Sequence, residues 1–137
     1  MEQAKPSSFD ERQRILASDD VLEQLRAICL AFPEAFEDEE GVGSPSFKVR
    51  NKIFAMQHGF AERPSLWCKA QPGVQNILMN ANPARFFVPP YVGHHGWVGL
   101  WLDGELDWDE VGDLVHESYR LTAPKRLYAL IGQSEIR

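Results

Sequence analysis

The residues whose types and spacing could do chemistry are cations interleaved with rings. Phe47-Lys48, Lys52-Ile53-Phe54, Trp67-Cys68-Lys69 and Arg85-Phe86-Phe87 all show this pattern, and Trp97 and Trp101 follow in the next extended stretch. Such a surface can hold phosphates or stack bases, each stacked base contributing about 1–3 kcal/mol. Ordinary sheet alternation, with rings inward and cations in water, produces the same pattern. Trp97 and Trp101 share a strand face and read as core. The candidate anion- or nucleic-acid-binding residues are Lys48, Arg50, Lys52, Lys69, Arg85, Lys125 and Arg126.

Charge distribution supports that choice. The net charge of the 137 residues is −6, which disfavours bulk attraction to duplex DNA or acidic membranes. From Ser44 to Leu102, however, six cations face only Glu62. The excess is flanked by acidic segments, Glu34 to Glu40 before it and Asp103 to Glu117 after it. A local basic patch on an anionic protein is therefore expected.

Other chemistry finds little support. No glycine-rich loop ends in Lys-Ser or Lys-Thr, no G-x-G-x-x-G occurs, and no G-x-S-x-G elbow marks a hydrolase. In Gly41 to Pro45 the proline removes an N–H that an anion would need, so this stretch reads as a bend entering a strand. Adjacent His94 and His95 cannot project to one side of an extended segment, and no His pair at i, i+4 or cysteine cluster suggests zinc. Glu34 to Glu40 could collect a hard cation, but reads more simply as a solvated stretch between helix and sheet. No catalytic residue, metal or cofactor is assigned. Cys29 and Cys68, far apart in sequence, fit reduced thiols in a cytoplasmic protein. No apolar run approaches the roughly 20 residues of a membrane span.

These residues need elements to position them. The 44 % hydrophobic content suits one domain, residues 18–137, preceded by an arm or short helix over residues 1–17 whose Phe9, Ile15 and Leu16 could dock on it. Capping boxes at Ser8/Glu11 and Asp20/Glu23 open two short helices. In the second, Val21, Leu25, Ile28, Cys29 and Phe32 form one apolar stripe, and Pro33 ends it. Ser46–Val49 and Lys52–Gln57 read as a hairpin turning at Arg50-Asn51, with Phe47 opposite Phe54 and Lys48 on the other face. Ser65–Ala70, Phe86–Val88 and Trp97–Leu102 add strands. A helix over Val74–Asn80 turns Ile77 and Leu78 inward. An Asp107/Glu110 capping box starts a helix whose inner face is Val111, Leu114, Val115 and Ser118, and Pro124 starts a last helix. The class is α+β: an antiparallel meander covered on one face by N- and C-terminal helices.

Several short motifs occur in a familiar order. Pro45-Ser46-Phe47-Lys48-Val49 and Lys52-Ile53-Phe54-Ala55 are followed by Asn82 to Pro89, Gly96-Trp97-Val98 and Leu100 to Asp103. Ser118-Tyr119-Arg120-Leu121 and Ala123 to Leu127 complete the set. The chain thereby resembles the MmcQ/YjbR-like proteins from about Val21 to Ile131. That resemblance implies a two-layer fold similar to the frataxin (CyaY) arrangement and a DNA-binding role through Lys48, Lys52, Lys69, Arg85, Lys125 and Arg126. A formyltransferase label carried by some relatives finds no Asn-His-Asp arrangement here. Two positions depart from the family pattern: Val42 replaces a bulkier residue, and Arg50-Asn51 replaces the hairpin Gly-Gly.

The leading expectation is a monomeric, non-catalytic nucleic-acid-binding module. One alternative is a binder of an anionic metabolite, or an enzyme acting on one, with Lys48, Lys69 and Lys125 beside Tyr91 or Tyr119. A second is a protein-interaction domain using an edge strand or an acidic helix.

Overall fold

The computed structural model describes residues 15–38 and 44–135, with side chains as far as Ile131. The elements in chain order are α1 (Asp19–Cys29), β1 (Phe36–Asp38), β2 (Ser46–Val49), β3 (Lys52–Phe60), β4 (Arg63–Cys68), α2 (Val74–Ala81), β5 (Phe86–Phe87), β6 (Val98–Trp101), α3 (Trp108–Thr122) and α4 (Lys125–Glu135). One antiparallel sheet has the order β1-β2-β3-β4-β6-β5. The fold is α+β, as expected.

Ser18 caps α1, its hydroxyl accepting from the Val21 N–H at 3.3 Å. Asp19 and Asp20 lie inside the first turn, where carboxylates suit the positive helix end. The cap is thus Ser18, two residues before the expected Asp20. The helix stops at Cys29, and tight turns rather than helix carry the chain past Pro33. Leu22, Leu25 and Cys29 are its buried stripe.

β1 is a correction. The stretch read as solvated between helix and sheet contains the edge strand Phe36–Asp38, paired with β2. Residues 39–43, with the rest of that acidic run and Gly41 to Gly43, lie outside the described residues. So does the Ser8/Glu11 capping box.

The hairpin turns at Arg50-Asn51, both with positive φ (52° and 69°). That geometry matches the right-handed twist of the flanking strands. Its register differs from expectation: Phe47 pairs with Ala55 and Lys48 with Ile53, so Phe54 is the extra residue of a bulge. The bulge lets Phe47, Phe54 and Ala55 all reach the main core.

That core fills one face of the sheet, between α1, α3 and strand residues such as Leu66, Cys68, Val98 and Leu100. Val111, Val115, Ser118 and Tyr119 are the buried face of α3. Tyr119 was not foreseen; it stacks on Phe32 at 4.7 Å, and its hydroxyl donates to the Pro33 carbonyl at 2.8 Å. Asp107 caps α3 by accepting from the Asp109 and Glu110 N–H groups. Glu110 binds Arg85 rather than closing the capping box. In α2 Leu78 and Met79 turn to the core, while Ile77 is 64 % exposed. Before α1, Ala17 is buried, and the Gln57 amide bonds both the Ala17 N–H and the Ile15 carbonyl. The end of the N-terminal arm therefore docks, although Leu16 faces solvent.

The helix-free face carries a second apolar cluster. Trp67, Phe87 and Trp97 form its centre, with Ile53, Met56, Phe60, Val92 and Trp101 against them. Trp97 and Trp101 do share a face, but it is this one and not the main core. The rings satisfy one another: Phe87 stacks on Trp101 at 4.2 Å and on Phe60 at 5.0 Å, and the Arg63 guanidinium lies 4.0 Å from the Trp101 ring centre. Among the described residues, no helix is long and apolar enough to cross a membrane.

Candidate nucleic-acid interface

The fold divides the seven candidate cations, with Lys48, Lys69 and Arg85 each in its own surroundings. Lys48 stands on the helix-free face, in register with Phe36 and Ile53, and its Nζ is 2.7 Å from the Asp38 carboxylate. Arg85 precedes β5 and binds Glu110 of α3. Lys69 follows β4 directly; its backbone N–H donates to the Ser118 hydroxyl at 2.8 Å. It lines a groove whose other polar side chains are five carboxylates: Asp107, Asp109, Glu110, Asp113 and Glu117. An anion at Lys69 would meet those charges. Tyr119 lies in the core, and Tyr91 is an exposed loop residue at φ 70°.

Two of the seven act on one carboxylate. Arg50, at the hairpin turn, holds Glu34 through two guanidinium contacts of 2.7 and 3.2 Å. The hydrogen bond from Arg50 pulls the Glu34 carboxyl below its ordinary range, and the charges of Arg50 and Arg126 add to that pull. Arg126 thus acts on the same carboxylate as Arg50, from the other end of the sequence. It sits with Lys125 in the first turn of α4, which contains no acidic residue. Cations there oppose the positive end of the helix dipole, an arrangement that costs stability unless an anion is present. Lys52 is exposed two residues beyond Arg50. Among the described residues, neither Lys52, Lys125 nor Arg126 has a carboxylate within ion-pair distance.

The carboxylate partners are what sequence reasoning missed. Glu34, Glu37 and Asp38 each take a cation, respectively Arg50, Arg26 and Lys48. A three-residue strand is too short to show alternation, so the signal that would have placed Glu37 inward and Asp38 outward was weak. Arg63, outside the candidate set, is held by Asp103 through two contacts of 2.8 Å.

The remaining candidates for chemistry resolve plainly. Cys29 and Cys68 are both buried free thiols. Burial raises both thiol pKa values, Cys68 up to about 12. Neither is poised as a nucleophile, which needs a depressed thiol pKa and access. His94 and His95 do approach each other, because the chain here is a 3₁₀ turn over Gly93–His95 and not an extended segment, which brings their ring centres to 3.9 Å. Among the described residues, no group of three or more His, Cys, Asp or Glu side chains converges as a metal site would require.

The arrangement has a counterpart among solved structures. A crystal structure of the Deinococcus radiodurans protein DR2400, described with a DUF419 domain, superposes with a TM-score of 0.68 over 88 % of this chain and 91 % of that one. At 22 % identity the likeness shows the fold. No curated protein matches the chain. The YjbR family model matches residues 30–121, from the end of α1 into the last turn of α3. With well over half of its length matched, from the edge strand through the Ser118-Tyr119 pair, the chain belongs to the YjbR family.

Proposed function

We propose that this domain is a non-catalytic nucleic-acid-binding module that meets phosphates at the tip formed by the β2–β3 turn and the start of α4. The contacts are Arg50, Lys52, Lys125 and Arg126. The observation that carries the reading is that the first turn of α4 holds Lys125 and Arg126 and no acid, and that among the described residues Lys52, Lys125 and Arg126 have no carboxylate within ion-pair distance. A small basic tip on an anionic protein gives weak, salt-sensitive binding that does not discriminate bases. Each neutralised phosphate contributes a slope of about −0.9 in log affinity against log salt for duplex, and about −0.7 for single strands. The aromatic face contributes less to this reading, since its ring faces are already taken by one another and by Arg63.

Fluorescence anisotropy with short single- and double-stranded oligonucleotides, at low and physiological salt, tests it. The expected result is micromolar binding at low salt that weakens steeply with added salt. Charge reversal by Lys52→Glu with Arg126→Glu, which breaks no ion pair described above, is expected to abolish it without lowering the melting temperature. Absence of binding at low salt, or binding untouched by that double variant, overturns the proposal.

A further inference from the structure

The turn that carries the chain from α1 to β1 puts Glu34 at φ 59°, in the left-handed region that glycine fills at least cost. Glu34 belongs to no two-residue hairpin turn, as Arg50-Asn51 and Ala61-Glu62 do. Strain of this kind persists where the surroundings over-determine it, and it gathers at clamps and switches. Here the core fixes the turn from both sides. The Ala35 N–H donates to the Phe32 carbonyl at 3.1 Å, and the Tyr119 hydroxyl donates to the Pro33 carbonyl at 2.8 Å. Tyr119 itself stacks on Phe32.

The pinned turn delivers a carboxylate to Arg50. Contacts of 2.7 Å from Nε and 3.2 Å from Nη2 cover the side-on edge of the guanidinium. That edge is a fork whose geometry fits a phosphate as well as a carboxylate. The side chains of Arg50 and Glu34 are 42 % and 50 % exposed, so a phosphate arriving from solvent can reach the pair.

Resting on the nucleic-acid reading of the basic tip, we infer that Glu34 regulates it as an internal competitor, standing in the place of a phosphate and holding Arg50 until a strand displaces it. A strand that engages Lys52, Lys125 and Arg126 keeps a further phosphate beside Arg50 at high local concentration, which drives the exchange. Exchanging one anion for another at Arg50 releases no net counterion, because the freed carboxylate recruits a cation of its own. Arg50 therefore adds affinity but little salt dependence while Glu34 is present.

Glu34→Gln keeps the shape of the side chain and removes its charge. In anisotropy titrations of the full chain with the same oligonucleotides, it is expected to tighten binding about two- to fivefold, the worth of one exposed ion pair. The salt slope for duplex is expected to steepen by up to about 0.9, one phosphate's share. Arg50→Ala is expected to weaken binding about two- to fivefold more in the Glu34→Gln background than in the parent, for the same reason. A Glu34→Gln variant with the parent's affinity and slope overturns the inference and leaves the reading of the tip standing. An equal Arg50→Ala penalty in both backgrounds does the same, since Glu34 would then act by charge alone. Oligonucleotides that bind neither the parent nor Glu34→Gln at low salt overturn the reading of the tip itself, and the inference with it.

Discussion

Ser118 stands where a rung of the sheet is missing, its hydroxyl donating to the Phe54 carbonyl at 2.6 Å. The same oxygen accepts from the Lys69 N–H at 2.8 Å. The β3–β4 ladder runs from Phe60↔Arg63 to Ala55↔Cys68, and its next pair would be Phe54 with Lys69. The bulge at Phe54 bends β3 there, and α3 inserts a hydroxyl to satisfy both freed backbone groups. A side chain from one layer thus completes the hydrogen bonding of the other.

Replacing Ser118 with Ala leaves a buried N–H and a buried C=O without partners. The expected cost is about 1–3 kcal/mol for such unsatisfied groups, toward the upper end because two are orphaned. Urea unfolding of the variant checks this: the midpoint should fall with an unchanged slope. A midpoint equal to that of the parent would mean water enters and replaces the hydroxyl.

This pair also marks how far the sequence reaches. The helical stripe of α1, the positive-φ turn at Arg50-Asn51 and the meander followed by helices are local patterns, and local patterns are legible. The bulge at Phe54 is not, because it depends on α3 supplying Ser118 from 64 residues away. The basic middle was visible as a count of charges, but sequence distance hides which carboxylate folds onto which cation. Lys48 and Arg85 are neutralised across strands and layers, whereas Arg126 joins Arg50 only through tertiary packing. Ser118 and Tyr119 form a recognisable motif; that they serve the fold through Phe54, Lys69 and Pro33 is set by tertiary packing.

Gly99 is fixed by a ring. A methyl at this position would fall 2.4 Å from Cζ of Phe87 and 2.6 Å from both of its Cε atoms. Phe87 cannot retreat freely, because it packs against both Trp101 and Phe60, which also lie against each other. Gly99→Ala is therefore expected to cost about 1–3 kcal/mol through overpacking and to shift the tryptophan emission as Trp101 is displaced. An unchanged spectrum and melting curve would show that the helix-free face repacks without cost.

The two thiols predict a chemical silence. Burial raises both thiols and holds them protonated at any physiological pH, with Cys68 pushed up to about 12. A disulfide reagent such as DTNB at pH about 8, near the ordinary cysteine pKa, should release no colour from the native protein. Two equivalents should appear once guanidinium unfolds it, since both cysteines are free. Rapid reaction of one thiol in the native state would place that cysteine in a surface-accessible form and contradict the packing around α1 and β4.

Acid should unfold the protein through its ion pairs. Glu34 is held below its ordinary 4.5 by hydrogen bonding from Arg50, Asp103 below 3.8 by Arg63, and Glu117 below 4.5 by Arg120 and then Gln71. A carboxyl whose folded pKa is depressed stabilises fully above its unfolded value. As pH falls below that value the unfolded chain binds protons first, so stability drops, and the contribution is gone once pH passes the folded pKa. The melting temperature should accordingly be level above these ordinary carboxylate values and decline beneath them, more gently at high salt because all three groups lie near the surface. Asp103→Asn should flatten the part of the decline below 3.8 and leave the part due to Glu34 and Glu117. If the variant instead follows the parent curve throughout, the Arg63–Asp103 pair contributes nothing to acid stability, and the loss lies with the other two carboxylates.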